Sequence, residues 1–186
     1  INPLSEYASS KVQAEEYLTD SNAIIFRLGT LFGISDEFSR IRLDLVVNIL
    51  VTKALTEGKL TVFGGEQWRP LLHVVDVANA IAQTIESDIT GIFNLHYKNF
   101  KIIDIAEAIV KKVPSATIET TPMKFQDARN YQVSSEKLYQ ESGFKASTNL
   151  SKGIEEVYDL ISNNRIKNVH HNRYSNQNFL EEYGIT

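Results

Sequence analysis

From Ser5 to Leu18 the chain is rich in helix formers and poor in breakers, which predicts a first helix starting near Pro3, Ser5 or Glu6. Ala23 to Leu28 is a short apolar run with branched residues that ends at Gly29, the pattern of a buried strand. A turn over 29–33 and a polar loop through Ser39 follow, then Leu45, Ile49 and Leu50 recur at helical spacing until Gly58. Leu60 to Phe63 and Leu71 to Val74 read as strands separated by a Gly64-Gly65 turn. Asp76 lies at or near the start of a helix with Val77, Ala78, Ile81, Ala82 and Ile85 on one broad face. Gly91 precedes a strand at 92–95, and Ile102, Ile105, Ile109, Val110 and Val113 repeat the helical spacing before Pro114. Thr117 to Thr121 reads as an edge or short strand. Two amphipathic helices close the pattern, one from Ser135 to Glu141 before Gly143, the other from Leu150 to Ile161. Residues beyond Asn163 are polar and fit either an ordered arm or a loose terminus. Alternation of helix and strand places the chain in the α/β class.

Composition narrows the function classes. With 186 residues, 42% apolar and 23% charged, the chain can close a sizeable core and is not disordered or collagen-like. A formal charge of -4 gives no general attraction to nucleic acid or anionic lipid. The absence of cysteine excludes disulfides, thiolate metal sites and a cysteine nucleophile, and fits a reducing compartment. The apolar stretch around Leu43 to Leu55 is interrupted by Asp44, Asn48 and Lys53, too short and too polar to span a bilayer. The chain opens Ile1-Asn2-Pro3 rather than with methionine, which leads us to expect a longer parent protein.

Several side chains could carry chemistry. Tyr7 and Lys11 fall one helical turn apart, which puts phenol and ammonium on one face; Tyr97 and Lys101 repeat the spacing, so it also fits an ordinary helix surface. Arg69, just after the Gly64-Gly65 turn, could make two charge-assisted bonds to a diphosphate, with Arg129 opposite; salt bridges to Glu66, Asp76 or Asp127 are the plain alternative. Trp68 could stack in the same pocket or fill core space. Asp76 reads as a helix N-cap rather than a proton-transfer group, and His73 as a hydrogen-bonded core histidine. His96, just after the 93–95 strand, reads as a residue at a pocket edge. The His170-His171 pair carries no metal-site spacing, and no Ser-His-Asp order or aromatic-basic interleaving stands out.

Read in order, Pro3-x3-Tyr7-x3-Lys11, Glu15 and Arg27-Leu28-Gly29-Thr30-Leu31-Phe32-Gly33 resemble the extended short-chain dehydrogenase/reductase family, specifically its nucleotide-sugar epimerases and dehydratases. The segments 64–78, Gly91-Ile92-Phe93-Asn94-Leu95 and Asp127-Ala128-Arg129-Asn130-Tyr131-x-Val133-Ser134 continue the resemblance in register. It covers residues 1 to about 161 and implies a C-terminal portion of a Rossmann-type parallel sheet with a small mixed α/β substrate domain. In this division, residues 1–33 and 75–100 are Rossmann-like, 34–74 and 101–162 bind substrate, and 163–186 form a C-terminal arm.

The resemblance further implies NAD-dependent epimerisation or dehydration by transient hydride transfer at the sugar. Tyr7 would exchange the sugar hydroxyl proton, favoured as phenolate by Lys11, which also holds the cofactor ribose. Tyr7, Lys11 and Leu28 are then the cofactor contacts, and Thr30, Asn48, Gln67, Arg69 and Arg129 the substrate contacts. Asn48 equally reads as an exposed or capping residue. Thr30 stands where asparagine is common in the family and Phe32 where tyrosine is frequent. The glycine-rich dinucleotide turn is not found in the sequence, so NAD is expected in a complete enzyme and not retained by this stretch, which alone is expected to be inactive. Partners implied are a nucleoside-diphosphate sugar and a second copy paired through the Ser5–Leu18 helix, in the cytoplasm, with no nucleic acid or membrane. Reduction of a carbonyl by an NADPH-dependent half-enzyme, or nucleotide-sugar binding and assembly without catalysis, are the alternatives.

Overall fold

Ser5 starts the first helix by accepting the Ala8 amide at 3.1 Å, and α1 (Glu6–Leu18) follows. The computed structural model describes residue 3, residues 5–122 and residues 130–184. No residue of α1 is buried. Arg27 ties it to the next strand through a bidentate pair with Glu15, Nε donating to Oε2 at 2.7 Å and Nη2 to Oε1. This bonding holds the Glu15 carboxyl below its ordinary range and raises the Arg27 guanidinium.

That strand, β1 (Ile24–Leu28), pairs in parallel with β5 (Gly91–Leu95), from Ile24↔Gly91 to Leu28↔Leu95. The stretch expected as a turn is instead a short strand, β2 (Thr30–Phe32). Gly29 makes the change of partner possible. Its N–H closes the β1–β5 ladder on the Leu95 carbonyl at 2.8 Å, while a Cβ there would lie 3.0 Å from the Pro70 carbonyl oxygen. Thr30 then pairs with Leu71 and Phe32 with His73 in the parallel strand β4 (Trp68–His73). A strand not expected from the sequence, β6 (Lys98–Lys101), adds antiparallel to β4. Between them, α2 (Val46–Thr56) leads to β3 (Lys59–Phe63), α3 (Val74–Thr84) follows β4, and α4 (Ile102–Lys112) leads to β7 (Thr117–Thr121), which pairs in parallel with β3. Helices α5 (Glu136–Ser142), α6 (Leu150–Ser162) and α7 (Asn176–Glu182) complete the described chain.

The expectation of a C-terminal Rossmann portion beside a small mixed domain is corrected by this pairing. Parallel ladders occur from Ile24 to Thr121, so the Rossmann-like arrangement spans most of the chain. The physical reason is that helices return the chain between strands, as parallel pairing requires. Two clusters of buried apolar residues fill it. One packs α2, α4 and α6 around Val47, Ile105, Ile109, Ile154 and Val157; the other lies between α3, β5 and α5 around Ala80, Phe93, Leu95 and Leu138.

Helix α3 is capped by His73, whose Nδ1 accepts the Val75 amide at 3.2 Å, not by Asp76 as expected. Asp76 is instead buried in the first turn, where its carboxylate accepts from the Ser147 amide and from both the amide and hydroxyl of Thr148. It therefore anchors the loop before α6. The C-terminal arm is ordered over residues 164–184. Arg40 donates to the Arg173 carbonyl and to Asn176 Oδ1 and lies 4.5 Å from the Phe179 ring centre, while Asp44 accepts the Asn176 amide at 2.7 Å. Burial would raise the Asp44 carboxyl, but bonds from Arg42 and from the Asn176 amide outweigh it and the group sits low. Arm and α2 enclose a cleft of about 250 Å³ lined by Leu43, Lys53, His170, His171 and Tyr174.

Candidate functional site

Because Leu28 and Leu95 end their parallel strands in register, the residues that follow them emerge side by side at one edge of the fold. Ligands of open parallel sheets bind outside such carboxyl ends. Here the edge carries Leu28, which is 42% exposed, half-buried Thr30, and His96, whose Cβ lies 3.2 Å from where a Cβ on Gly29 would be. Pro70 closes the same point from β4, and the residue before it is Arg69.

Arg69 is 4% exposed, and its Nη1 donates to the Trp68 carbonyl at 2.8 Å. Glu66 pairs with Lys101 at 2.7 Å, and Asp76 accepts from Ser147 and Thr148. Asp127 lies outside the described residues, as does Arg129. Gln67 braces the turn before Arg69: its Oε1 accepts the Gly65 amide and its Nε2 donates to the Phe63 carbonyl, both at 2.7 Å. Trp68 donates its amide to Asn130 Oδ1 at 3.0 Å, bringing the 130–135 segment against the start of β4.

The same segment is bound on its far side by β5 and β6. Asn99 exchanges two hydrogen bonds with the Val133 backbone, and both the amide and Nδ1 of His96 meet Ser135 Oγ, at 2.9 and 2.6 Å. Burial pushes the His96 imidazole below its ordinary value. Sequence reasoning placed His96 at a pocket edge but missed Asn99 and Ser135. Their partners lie 34 and 39 residues away, beyond any local pattern.

Tyr7 and Lys11 share a helix face as expected, with Lys11 Nζ 5.4 Å from the Tyr7 ring centre. Both face solvent, Tyr7 at 73% exposure. Asn48 is neither exposed nor a cap. It is fully buried and spends its amide on the Gly33 backbone, at 3.0 Å in each direction, and on the Arg42 carbonyl at 2.8 Å. The β2–β4 register separates it from Arg69: Gly33, Asn48 and His73 gather at the carboxyl end of that ladder, Gln67 and Arg69 at its amino end. His73 is the hydrogen-bonded core histidine expected, fully buried with Nε2 2.8 Å from Glu156 Oε2.

An NAD site finds only part of its needs here. Tyr7, Lys11 and Leu28, the cofactor contacts expected from the sequence, are all exposed. No glycine forms a pyrophosphate cradle on β1 or β2, because Gly29 is closed by Pro70 and His96, and a Cβ on Gly33 would fall 2.0 Å from His73 Nε2. Among the described residues no group of three histidine, aspartate or glutamate side chains is placed to hold a metal, and no helix is long and apolar enough to cross a membrane.

The fold is a Rossmann-like α/β arrangement in which the parallel strands β1 and β5 end beside Thr30, Pro70 and His96. Residues 1–95 match the NAD dependent epimerase/dehydratase family, and the chain belongs to that family. The match occupies the N-terminal half of this chain, which overturns the expectation of a fold confined to a C-terminal portion. UDP-glucuronic acid decarboxylase 1 of Arabidopsis thaliana is 27% identical over 173 residues, covering 88% of this chain and 40% of that protein. Among solved structures, UDP-glucuronic acid 4-epimerase of Bacillus cereus, in complex with a UDP-sugar and NAD, superposes with a TM-score of 0.73 at 24% identity, over 87% of this chain and 54% of that one. The NAD complex of dTDP-glucose 4,6-dehydratase from Bacillus anthracis gives 0.71 at 22% identity, over 88% and 54%. The chain thus spans about half the length of these relatives or less.

Proposed function

We propose that this protein handles nucleoside-diphosphate sugars for NAD-dependent epimerisation or dehydration, the chemistry named in several of its structural relatives. One observation carries the reading: Arg69, 4% exposed, immediately precedes Pro70, whose carbonyl packs against Gly29 where the parallel strands β1 and β5 end, the edge at which ligands of this fold class bind. Arg69 takes the diphosphate, with Arg129 as second contact, and Gln67 and Thr30 line the approach. Asn48 acts from behind by holding Gly33. NAD supplies the hydride acceptor when bound against Tyr7, Lys11 and Leu28. Tyr7 exchanges a proton with the sugar hydroxyl, and Lys11, on the same face, orients the ribose.

Binding without turnover is the second reading, favoured by the closure of Gly29 and Gly33 against protein atoms. We also propose pairing of two copies through the Ser5–Leu18 helix. Its lack of any buried residue, with Tyr17 at 88% exposure, supports that role, and the lack of cysteine supports a reducing, cytoplasmic setting.

Trp68 is the one tryptophan of the sequence and adjoins Arg69, so its fluorescence reports this site alone. Titration with UDP-glucose is expected to change Trp68 emission saturably. An unchanged spectrum up to millimolar ligand would overturn the site assignment.

A further inference from the structure

The bonding around His96 follows one internally consistent pattern. Val133 sets the orientation of the Asn99 amide: its N–H donates to Asn99 Oδ1 at 3.1 Å, and its carbonyl accepts from Asn99 Nδ2 at 3.0 Å. The remaining Nδ2 hydrogen faces His96 Nε2 at 3.4 Å, a long contact that only an unprotonated ring nitrogen can accept. Nδ1 then carries the ring proton and donates to Ser135 Oγ at 2.6 Å, beside the His96 amide that already donates there. Asn94 adds a bond to the Ser134 carbonyl, and Asn130 accepts from Trp68. The 130–135 segment is therefore stitched to β4, β5 and β6.

Ser135 makes the arrangement more than incidental. It occupies the N-cap of α5, where a serine hydroxyl ordinarily bonds its own helix, yet it makes no such cap bond. Its hydroxyl is given to His96 instead. Ser134 Oγ accepts the Glu136 amide at 3.3 Å in its place, which leaves the Ser135 hydroxyl for a link across the fold.

We infer that His96 is a positioning residue of the nucleotide-sugar site, holding residues 130–135 through Asn99 and Ser135 as the wall beside Trp68 and Arg69, and doing so only as a neutral imidazole. The inference rests on the nucleotide-sugar reading above. A proton on Nε2 would set two donors against each other, and Asn99 cannot turn over without losing both bonds to Val133. Charged side chains on the surrounding elements are Arg27 on β1, Arg69 on β4, Lys98 and Lys101 on β6, and Glu136 and Lys137 at the start of α5. The downward shift of His96 arises from its burial. Since the folded value is depressed, the hold is complete above the ordinary histidine value of 6.5 and is lost as pH falls through the folded value.

UDP-glucose is a suitable probe because its diphosphate diester does not titrate in this window. Its affinity is measured at pH 7.5 and 4.5 for the unmodified chain and for His96→Gln, whose amide can replace both ring contacts without titrating, alongside hydrogen exchange of the Val133 amide. We expect roughly tenfold weaker binding at pH 4.5 in the unmodified chain, with faster Val133 exchange, and little pH dependence of either in His96→Gln. Equal pH dependence in both proteins, or none in the unmodified chain, would overturn the role of His96 while leaving the site reading intact. Failure to bind UDP-glucose at either pH would overturn both together. Should His96→Gln not fold, unchanged affinity and unchanged Val133 exchange across the two pH values in the unmodified chain still refute the inference.

Discussion

Gly33→Ala is expected to destabilise the fold by about 3 kcal/mol or more in urea unfolding. Two independent costs combine at this residue. Its backbone sits at φ 87, a conformation that side chains rarely adopt, and an added Cβ would lie 2.0 Å from Nε2 of His73. His73 cannot give way easily. It is fully buried, edge-on to Phe32 with ring centres 5.1 Å apart, capped against Val75 and bonded to Glu156, which also accepts the Ile34 amide. Behind Phe32 stands Gly153 of α6, where a Cβ would be 2.4 Å from the ring, so no slack exists on that side either. Gly58→Ala provides the comparison. Gly58 has φ 63 but nothing within 4 Å, so it carries the backbone cost alone, about 1 kcal/mol. Equal losses in the two variants would show that the packing around His73 is looser than described.

Arg69→Met is expected to weaken UDP-glucose binding roughly a hundredfold, and Arg69→Lys roughly tenfold. The difference tests geometry rather than charge. Methionine preserves most of the buried stem and removes the cation, whereas lysine restores the charge without the planar pair of donors that a diphosphate can accept. Because Arg69 is 4% exposed, each variant is compared at a temperature where its unfolding curve shows full folding. Affinity unchanged in both variants would assign Arg69 a purely structural role.

Much of the fold was legible in the sequence where periodicity was strong. Ile102, Ile105 and Ile109 mark α4, and Leu150, Ile154 and Val157 mark α6, because each set returns to one buried face. The strand Thr30–Phe32 was hidden because two glycines bracket only three residues, and such punctuation reads locally as a turn. Lys98 to Lys101 was hidden because a polar edge strand has no apolar alternation to betray it. Asp76 reads as the cap because aspartate is a common capping residue, yet His73, three residues earlier, supplies that bond.

The site divides in the same way. The Tyr7 and Lys11 pairing follows from one helical turn and needed no tertiary information. Asn48 could not be placed from sequence, since its burial depends on a turn 15 residues upstream. His96, Asn99 and Ser135 meet only because β5, β6 and the start of α5 converge, so no spacing along the chain announces them. The C-terminal placement failed for a different reason: resemblance in ordered motifs locates residues relative to a family and says little about how far the parallel pairing extends within this chain.

The proposed function requires a nucleoside-diphosphate sugar to bind at the carboxyl edge of β1 and β5 against Arg69. A proton–nitrogen correlation spectrum recorded with increasing UDP-glucose tests it most directly. Saturable shifts are expected at the Trp68 indole, the Arg69 side chain and the backbone amides of His96, Asn99 and Val133, with α2 and the C-terminal arm undisturbed. Shifts confined to Lys53, His170, His171 and Tyr174, in the cleft between α2 and the arm, would contradict it.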